Sequence, residues 1–369
     1  MILTKETKKR KTEHLQISLD RNVQARNATT GFEDIHFVHK ALPEVDKDRI
    51  NMSTTVFNHK FSAPLIVGAI TGGAPEATEI NATIAEAVEG LGLGMGVGSQ
   101  RAAIEDKELE PTFAVTRKKA PNAFLIANLG GVQLVNGYGL KEVKKAMKMI
   151  EADAIAIHLN SLQEAVQPEG QTNFRGVLEG IGKIVQGIDK PVIAKETGAG
   201  IAAEEAAKLE NVSLKGIDIS GVGGTSWAAV EYYRTQKGEN DFQRRLGDVF
   251  WDWGIPTASS IVEVSQYVNI PVIASGGIRN GIDIAKSLAL GASLTSLSQP
   301  VLQTASKGLK ETVSALSLLI EELRNVMFLV GAETIQDLRR TPLVVTGKTA
   351  EWLRIRGFNT ESLARRGRK

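Results

Sequence analysis

Four clusters of residues and one lysine in this 369-residue chain carry types and spacings that could do chemistry. Ser275-Gly276-Gly277-Ile278-Arg279 and Gly221-Val222-Gly223-Gly224-Thr225 are glycine-rich turns; glycine lets backbone N–H groups approach an anion with no Cβ in the way, so both suit a phosphate. As plain turns before helices they would do nothing more. Lys195 sits inside the otherwise apolar PVIAKE and looks like a buried cation. Beside a flavin ring it would stabilise negative charge at N1 and C2=O in the reduced state, and its structural alternative is an ion pair with Glu196 or another carboxylate. His158, Asn160, Gln163 and Glu164 follow one another in a single stretch. A carboxylate and amide oxygens, joined by the oxygens of a diphosphate, suit Mg²⁺; taken alone, Glu164 would be an ordinary first-turn carboxylate favoured by a helix dipole. Arg10, Lys11 and His14 have the spacing R-K-x-x-H, solvated if they form a tail and a phosphate grip if they fold over as a cap.

The elements that must position these groups are short. APLIVGA at 63–69, GMGVGS at 94–99, AFLIANLG at 123–130, AIAIHLN at 154–160, PVIAKE at 191–196, GIDISG at 216–221, PVIASGG at 271–277 and ASLTSLS at 292–298 are too short for helices and largely apolar on both faces. Helical periodicity follows them, as at 79–91, 139–150 and 280–290. Strands apolar on both faces, alternating with helices, imply a parallel sheet covered by helices, and eight such units close a TIM (β/α)8 barrel. Barrel chemistry gathers at the carboxyl ends of the strands. Here those ends hold Thr71-Gly72-Gly73, Ser99-Gln100-Arg101, Asn128, His158 with Asn160, Lys195-Glu196-Thr197 and Ser220-Gly221, more polar residues than helix capping alone requires. The stretch between the sixth and seventh runs is longer than one crossover needs. It predicts an inserted loop at about 225–254 over the mouth, a lid or subunit contact, with Trp227, Tyr232, Tyr233, Phe242, Phe250, Trp251 and Trp253 among Arg234, Lys237, Arg244 and Arg245. Residues 1–60 carry no strong period and read as an N-terminal cap segment; 61–330 make the barrel, ending in an apolar helical run at 310–330, and 331–369 a polar C-terminal extension.

Composition narrows the chemistry further. The absence of cysteine excludes disulfides, iron–sulfur clusters, thiolate zinc sites and a cysteine nucleophile. The net charge of +2 argues against a polyanion partner, so no nucleic-acid binding is expected. Basic residues still crowd both ends: Lys5, Lys8, Lys9, Arg10 and Lys11 at the start, and Arg365, Arg366, Arg368 and Lys369 in what reads as a solvated tail. No stretch reaches the roughly 18 apolar residues of a membrane span and no apolar signal segment follows the charged start, so a cytoplasmic protein is expected.

RKTEH at 10–14, HKALPEVD at 39–46, TGG at 71–73, MGVGSQR at 95–101, IANLG at 126–130, HLNSLQEAVQPEG at 158–170, KETGAG at 195–200, SGVGGTSW at 220–227 and SGGIR at 275–279, in this order and spacing, resemble the type 2 isopentenyl-diphosphate isomerases, archaeal members most of all. That family is similar in fold to the FMN-dependent α-hydroxy-acid oxidases. The resemblance implies FMN contacts from Thr71, Gly72, Ser99, Asn128, Lys195, Thr225, Gly276 and Gly277. It implies a substrate diphosphate held by Arg10, Lys11, His14, Arg101, His158 and Asn160, with Gln163 near the isoprenyl carbons and Glu164 as the Mg²⁺ ligand. Two departures stand out: Thr197 where serine is common, and SLSQP at the end of strand eight where the family has a more apolar A-x-P, which leaves that strand's phosphate contacts unassigned.

The implied reaction is a 1,3-allylic proton shift interconverting isopentenyl and dimethylallyl diphosphate in isoprenoid biosynthesis. An unactivated alkene is a poor base, so the step needs a strong acid on one carbon and a base on the next in a dry pocket. FMN reduced beforehand by NADPH or NADH supplies that chemistry on this reading, Lys195 stabilises the reduced ring, and both flavin N5 and Gln163 are candidates for the group that moves the proton. The family also implies a homotetramer or homo-octamer. The rival enzyme is an FMN-dependent 2-hydroxy-acid oxidase, which needs a histidine base near the late strands; the five histidines, His14, His36, His39, His59 and His158, provide none there. A rival from another class is a non-catalytic FMN or phosphate-binding module, or a barrel whose basic ends bind RNA, which a salt-dependent RNA shift would reveal.

Overall fold

The computed structural model describes residues 2–235 and 241–367, and of residues 2–9 the backbone alone. The side chains of Lys5, Lys8 and Lys9, and Lys237, Arg368 and Lys369, lie outside the described residues. Eight parallel strands close a barrel: β1 Leu65–Val67, β2 Gly94–Gly96, β3 Phe124–Gly130, β4 Ala154–Leu159, β5 Val192–Glu196, β6 Gly216–Asp218, β7 Val272–Ala274 and β8 Leu294–Leu297. All eight fall inside the apolar runs of the sequence. The reason is burial on both faces: inward residues such as Ile66, Ile126, Ala154, Ile193, Ile273 and Leu294 fill the barrel, while the outward set packs on the helices.

The amino-terminal end of the barrel is plugged by a hairpin, 54–56 paired with 59–61. Its two turn residues, Phe57 and Asn58, both have positive φ, 54° and 60°, the conformation that matches strand twist in tight hairpins. Phe57 accepts this because its ring stacks on Phe124 beneath the barrel, at 5.8 Å and 12°. With that end closed, the carboxyl end is the open one.

Three segments build over it. The first, α1 (Ile2–Asp20), is a helix where the sequence showed no apolar period. Its period is mostly polar: Lys11, His14 and Ser18, three or four apart, share one face with buried Leu15 and line the mouth. The chain then runs on as a strap, with Gln24 bridging Thr225 and Val23 O accepting from Ser226 N at 2.8 Å. The insert after β6 is helical rather than a loop, α2 (Trp227–Arg234) and α3 (Asp241–Val249). Val23, Ala229, Val230 and Trp251 form a small core of their own beneath it, and Trp251 Nε1 donates to Gln24 O at 2.8 Å.

Beyond the last barrel helix (Leu309–Leu329), the expected polar tail is folded. Residues 335–340 and 347–355 are helical, 343–345 pair antiparallel with 35–37, and Leu353 and Leu363 are buried. Buried Glu263 anchors this extension by accepting from Trp352 Nε1 at 2.8 Å and Arg356 Nη2 at 3.0 Å. Arg366, expected to be solvated, donates to Ala289 O at 2.6 Å and Arg339 O at 2.9 Å. Arginine's fork of donors satisfies main-chain carbonyls at helix ends, which a charge count does not foresee.

Candidate active site

Two adjoining cavities open at the carboxyl ends of the strands and share Lys11, His14, Lys195 and Trp227. The first is lined by Thr71, Thr225 and the Ser275–Arg279 turn, the second by Arg10, Ser99, Arg101, Asn128, His158, Asn160, Gln163 and Glu164. The residues that the resemblance assigned to FMN, diphosphate and Mg²⁺ therefore meet at one mouth, with Gly72 the exception, while Gln100, Glu196 and residues 221–224 line neither cavity. Gly72 has φ 151° and a Cβ there would lie 2.0 Å from the Phe113 ring, so this glycine serves packing under the loop. Gly276 has φ 96°, and a Cβ would sit 2.1 Å from Gly221 O; the two glycine turns are pressed together and admit no side chain.

Strand register explains the grouping. Gly130, His158, Lys195 and Asp218 are successive Cα partners across β3, β4, β5 and β6, one inward row at the mouth. Lys195 Nζ donates to Glu196 O at 2.9 Å and makes no ion pair among the described residues, so the structural alternative of a pair with the Glu196 carboxylate does not occur. The Glu196 carboxylate instead accepts the N–H groups of Thr197, Gly198 and Ala199, each at 2.5 Å. Burial raises it to about 7 against those bonds and the nearby Lys195. Burial lowers Lys195 itself, opposed by the Asp218 and Glu196 charges. Arg279, exposed at the cavity rim with its guanidinium partly desolvated and lowered for that reason, donates to Gln24 Oε1 at 2.5 Å and Ile278 O at 3.0 Å. Two cations without ion-pair partners thus face the first cavity, which calls for an anionic ligand.

In the second cavity the tautomer of His158 is set by its neighbours. Asn128 Nδ2 donates to Val97 O at 3.0 Å, which turns Oδ1 toward His158 Nδ1 at 2.9 Å. Nδ1 therefore carries the proton and Nε2 the lone pair. Burial, with Lys195, Lys11 and Arg10 adding, holds this histidine well below its ordinary range, so the ring is neutral. Lys11 Nζ donates to Ser99 O at 3.3 Å, and burial, then Arg10 and Arg101, bring its ammonium down to about 7. Glu164 accepts from Asn160 Nδ2 at 2.9 Å, Gln167 Nε2 at 2.7 Å and Gln171 N at 2.7 Å. Asn160 Oδ1 and Gln167 Oε1 are left buried with no partner.

Sequence reasoning missed Glu231. It is buried on α2 and accepts from Arg234 Nε at 2.7 Å, His14 Nε2 at 2.9 Å and Gln163 Nε2 at 3.4 Å. Burial pushes it up, but the bonds from His14 and the Arg234 charge win and bring it down to about 2. It ties cap, insert and Gln163 together. The one available signal was a lone carboxylate in the aromatic run WAAVEYY.

The sequence profile described as FMN-dependent dehydrogenase matches residues 4–121 and 135–345. Among curated proteins, the chain is similar to an isopentenyl-diphosphate delta-isomerase of Methanosarcina barkeri, 49% identical over 97% of both chains. Another of that name from Methanothermobacter thermautotrophicus is 48% identical over 97% of this chain and 99% of its own, and one from Pyrococcus furiosus 51% over 93% and 88%. Among solved structures, a lactate oxidase of Pediococcus acidilactici superposes with TM-score 0.66 at 20% identity, covering 94% of each chain, and a mandelate oxidase with TM-score 0.60 at 19% identity, covering 91% and 93%. At that identity these structures speak to the barrel fold alone. Close identity to the isomerases along nearly the whole length, joined to the flavin-dehydrogenase profile, places the chain in the FMN-dependent type 2 isopentenyl-diphosphate delta-isomerase family.

Proposed function

We propose that this protein is an FMN-dependent isopentenyl-diphosphate delta-isomerase that shifts a proton along the allyl unit of isopentenyl diphosphate to form dimethylallyl diphosphate. The observation that carries the reading is the pair of cavities sharing Lys195, one suited to a phosphorylated ring and the other to a diphosphate.

The first cavity fits FMN by its donor set: half-buried Lys195 and rim-exposed Arg279, two cations without ion-pair partners among the described residues, with Gly276-Gly277 and Thr225 in the lining. When bound and reduced by NADPH or NADH, the flavin supplies the acid–base chemistry that no side chain here is strong enough to give an alkene. Lys195 would hold positive charge at the ring and Thr71 and Thr225 would orient it from the same cavity, with Ser99 and Asn128 approaching from the adjoining one. The second cavity fits a diphosphate. Arg10, Lys11, Arg101 and His158 surround it, and α1 folds over as a cap that excludes water. His158 must gain a proton at Nε2 to donate to a phosphate oxygen, since its Nδ1–H is spent on Asn128. Mg²⁺ fits beside Glu164, where the partnerless Asn160 Oδ1 and Gln167 Oε1 are the oxygen donors that ion takes. Gln163, steadied by Glu231 and by donation from Asn160 Nδ2 at 3.2 Å, stands where it orients the isoprenyl carbons or relays the proton.

The oxidase reading lacks a histidine from the late strands: the two at the mouth, His14 and His158, come from α1 and β4 and are bonded to Glu231 and Asn128. His36 and His39 lie exposed on the N-terminal segment and His59 beside Phe61 and Phe124 at the plugged end. The proposal carries with it a cytoplasmic enzyme assembled as a homotetramer or homo-octamer. Exposed Phe242, Val249, Trp253, Trp352 and Ile355 offer apolar surface for assembly, and no described helix is long and apolar enough to cross a membrane. The test is anaerobic incubation of the protein with isopentenyl diphosphate, FMN, Mg²⁺ and NADPH, scoring dimethylallyl diphosphate. No product with reduced FMN bound overturns the reading.

A further inference from the structure

Asp218 is a buried carboxylate in the mouth that the proposed reaction does not use. It ends β6 and faces Lys195 across the register of β5 and β6, and both residues line the first cavity and the small space beneath it inside the barrel. Its Oδ1 accepts from Ser275 Oγ, and Ser275 Oγ accepts the Ser220 N–H at 3.0 Å. Ser220 has φ 35°, a backbone conformation uncommon outside glycine, at the point where that bond is delivered. Carboxylates are seldom buried without a partner. Here the nearby cation is Lys195, and the other neighbouring carboxylate, Glu196, is turned onto the N–H groups of the next loop.

A cation opposite a carboxylate shares its field with it. What reaches a third group at the mouth is the remainder, and it depends on how tightly the carboxylate is held off. We propose that Asp218, clamped by Ser275 and Ser220, is a positioning residue for Lys195, fixing the ammonium at the mouth and setting how strongly it favours an anionic reduced flavin over the neutral oxidised one. The inference rests on the FMN reading above.

The experiment is reductive titration of the FMN-loaded protein against a reference dye, with FMN affinity measured beside it. Asp218→Asn leaves Lys195 uncompensated and shifts the equilibrium toward reduced flavin at least tenfold, about 30 mV for a two-electron couple. Ser275→Ala keeps the charge but frees the carboxylate to turn to Lys195, so its shift has the opposite sign. In a Lys195→Met background the Asp218→Asn shift falls to less than half, as a double-mutant cycle requires of coupled residues. An unmoved equilibrium in Asp218→Asn, or an equal shift with and without Lys195, overturns the proposal. Should Asp218→Asn fail to fold, Ser275→Ala decides, and no shift or a shift toward reduced flavin overturns it. Wild-type protein that binds no FMN would instead sink the underlying reading, whereas an FMN-loaded, isomerising wild type with an indifferent Asp218→Asn sinks this inference alone.

Discussion

Lys11 makes substrate binding a proton-uptake reaction. Its ammonium is buried at the mouth between Arg10 and Arg101 and is brought down to about 7. A diphosphate placed among these cations reverses the balance and holds Lys11 charged. Raising the pH from 7 to 9 drops the charged fraction in the free enzyme from about one half to about one in a hundred, for a group titrating at about 7. The share of Lys11 in the rise of the apparent Kd for isopentenyl diphosphate is then about 50-fold, because each binding event must restore its missing proton. The sign follows from the lowered value: affinity is fullest below 7 and is lost above it. A phosphate's second ionisation lies near about 6, so the ligand's charge changes little over this window. Calorimetry at pH 7, 8 and 9 with fixed Mg²⁺, in two buffers of different ionisation heat, reads both the Kd and the protons taken up. Lys11→Arg supplies a cation that stays charged throughout and removes this share, leaving only the slope due to proton uptake at His158. A wild-type Kd that stays constant from pH 7 to 9, or Lys11→Arg retaining the full slope, would refute the reasoning.

Other perturbations probe the remaining parts. Glu231→Gln, which removes the anion that His14, Arg234 and Gln163 share, is expected to lower kcat about 10- to 100-fold, the scale for groups that orient others, with FMN affinity unchanged; equal losses in FMN binding and kcat would contradict it. Glu164→Ala should raise the Mg²⁺ needed for half-maximal rate at least about tenfold, since ligand charge sets affinity for a hard cation, and an unaltered Mg²⁺ curve would remove Glu164 from the metal site. Arg356→Met removes the cation of the buried Glu263 carboxylate and, Arg356 itself being exposed, should cost about 1–3 kcal/mol in urea unfolding, with a change in Trp352 emission; no measurable cost would mean that Trp352 and the Ala203 N–H satisfy it without the arginine.

The barrel was legible because its strands are buried on both faces, so APLIVGA or AFLIANLG has one reading and eight such runs close a ring. The gathering at the mouth was legible for a related reason: the strand ends hold more polar residues than capping requires, and Thr71, Asn128, His158 and Lys195 all came there, while Gln100 and Glu196 bond the main chain instead. The helix α1 was not, because its inward face is mostly polar and an apolar period was the thing sought. Neither was the folded C-terminal extension, whose anchor is a buried carboxylate on another part of the chain.

What the sequence determined by itself was the set of groups and the layer that holds them, since both follow from local pattern and from the absence of cysteine. Only the tertiary structure decided their states. That Lys195 makes no ion pair, that His158 carries its proton on Nδ1, that Lys11 titrates at about 7 and that Glu231 reaches Gln163 from the insert all depend on burial and on partners distant in the chain. A charge's free energy is set by what surrounds it in space, and the order of residues along the chain does not carry that information.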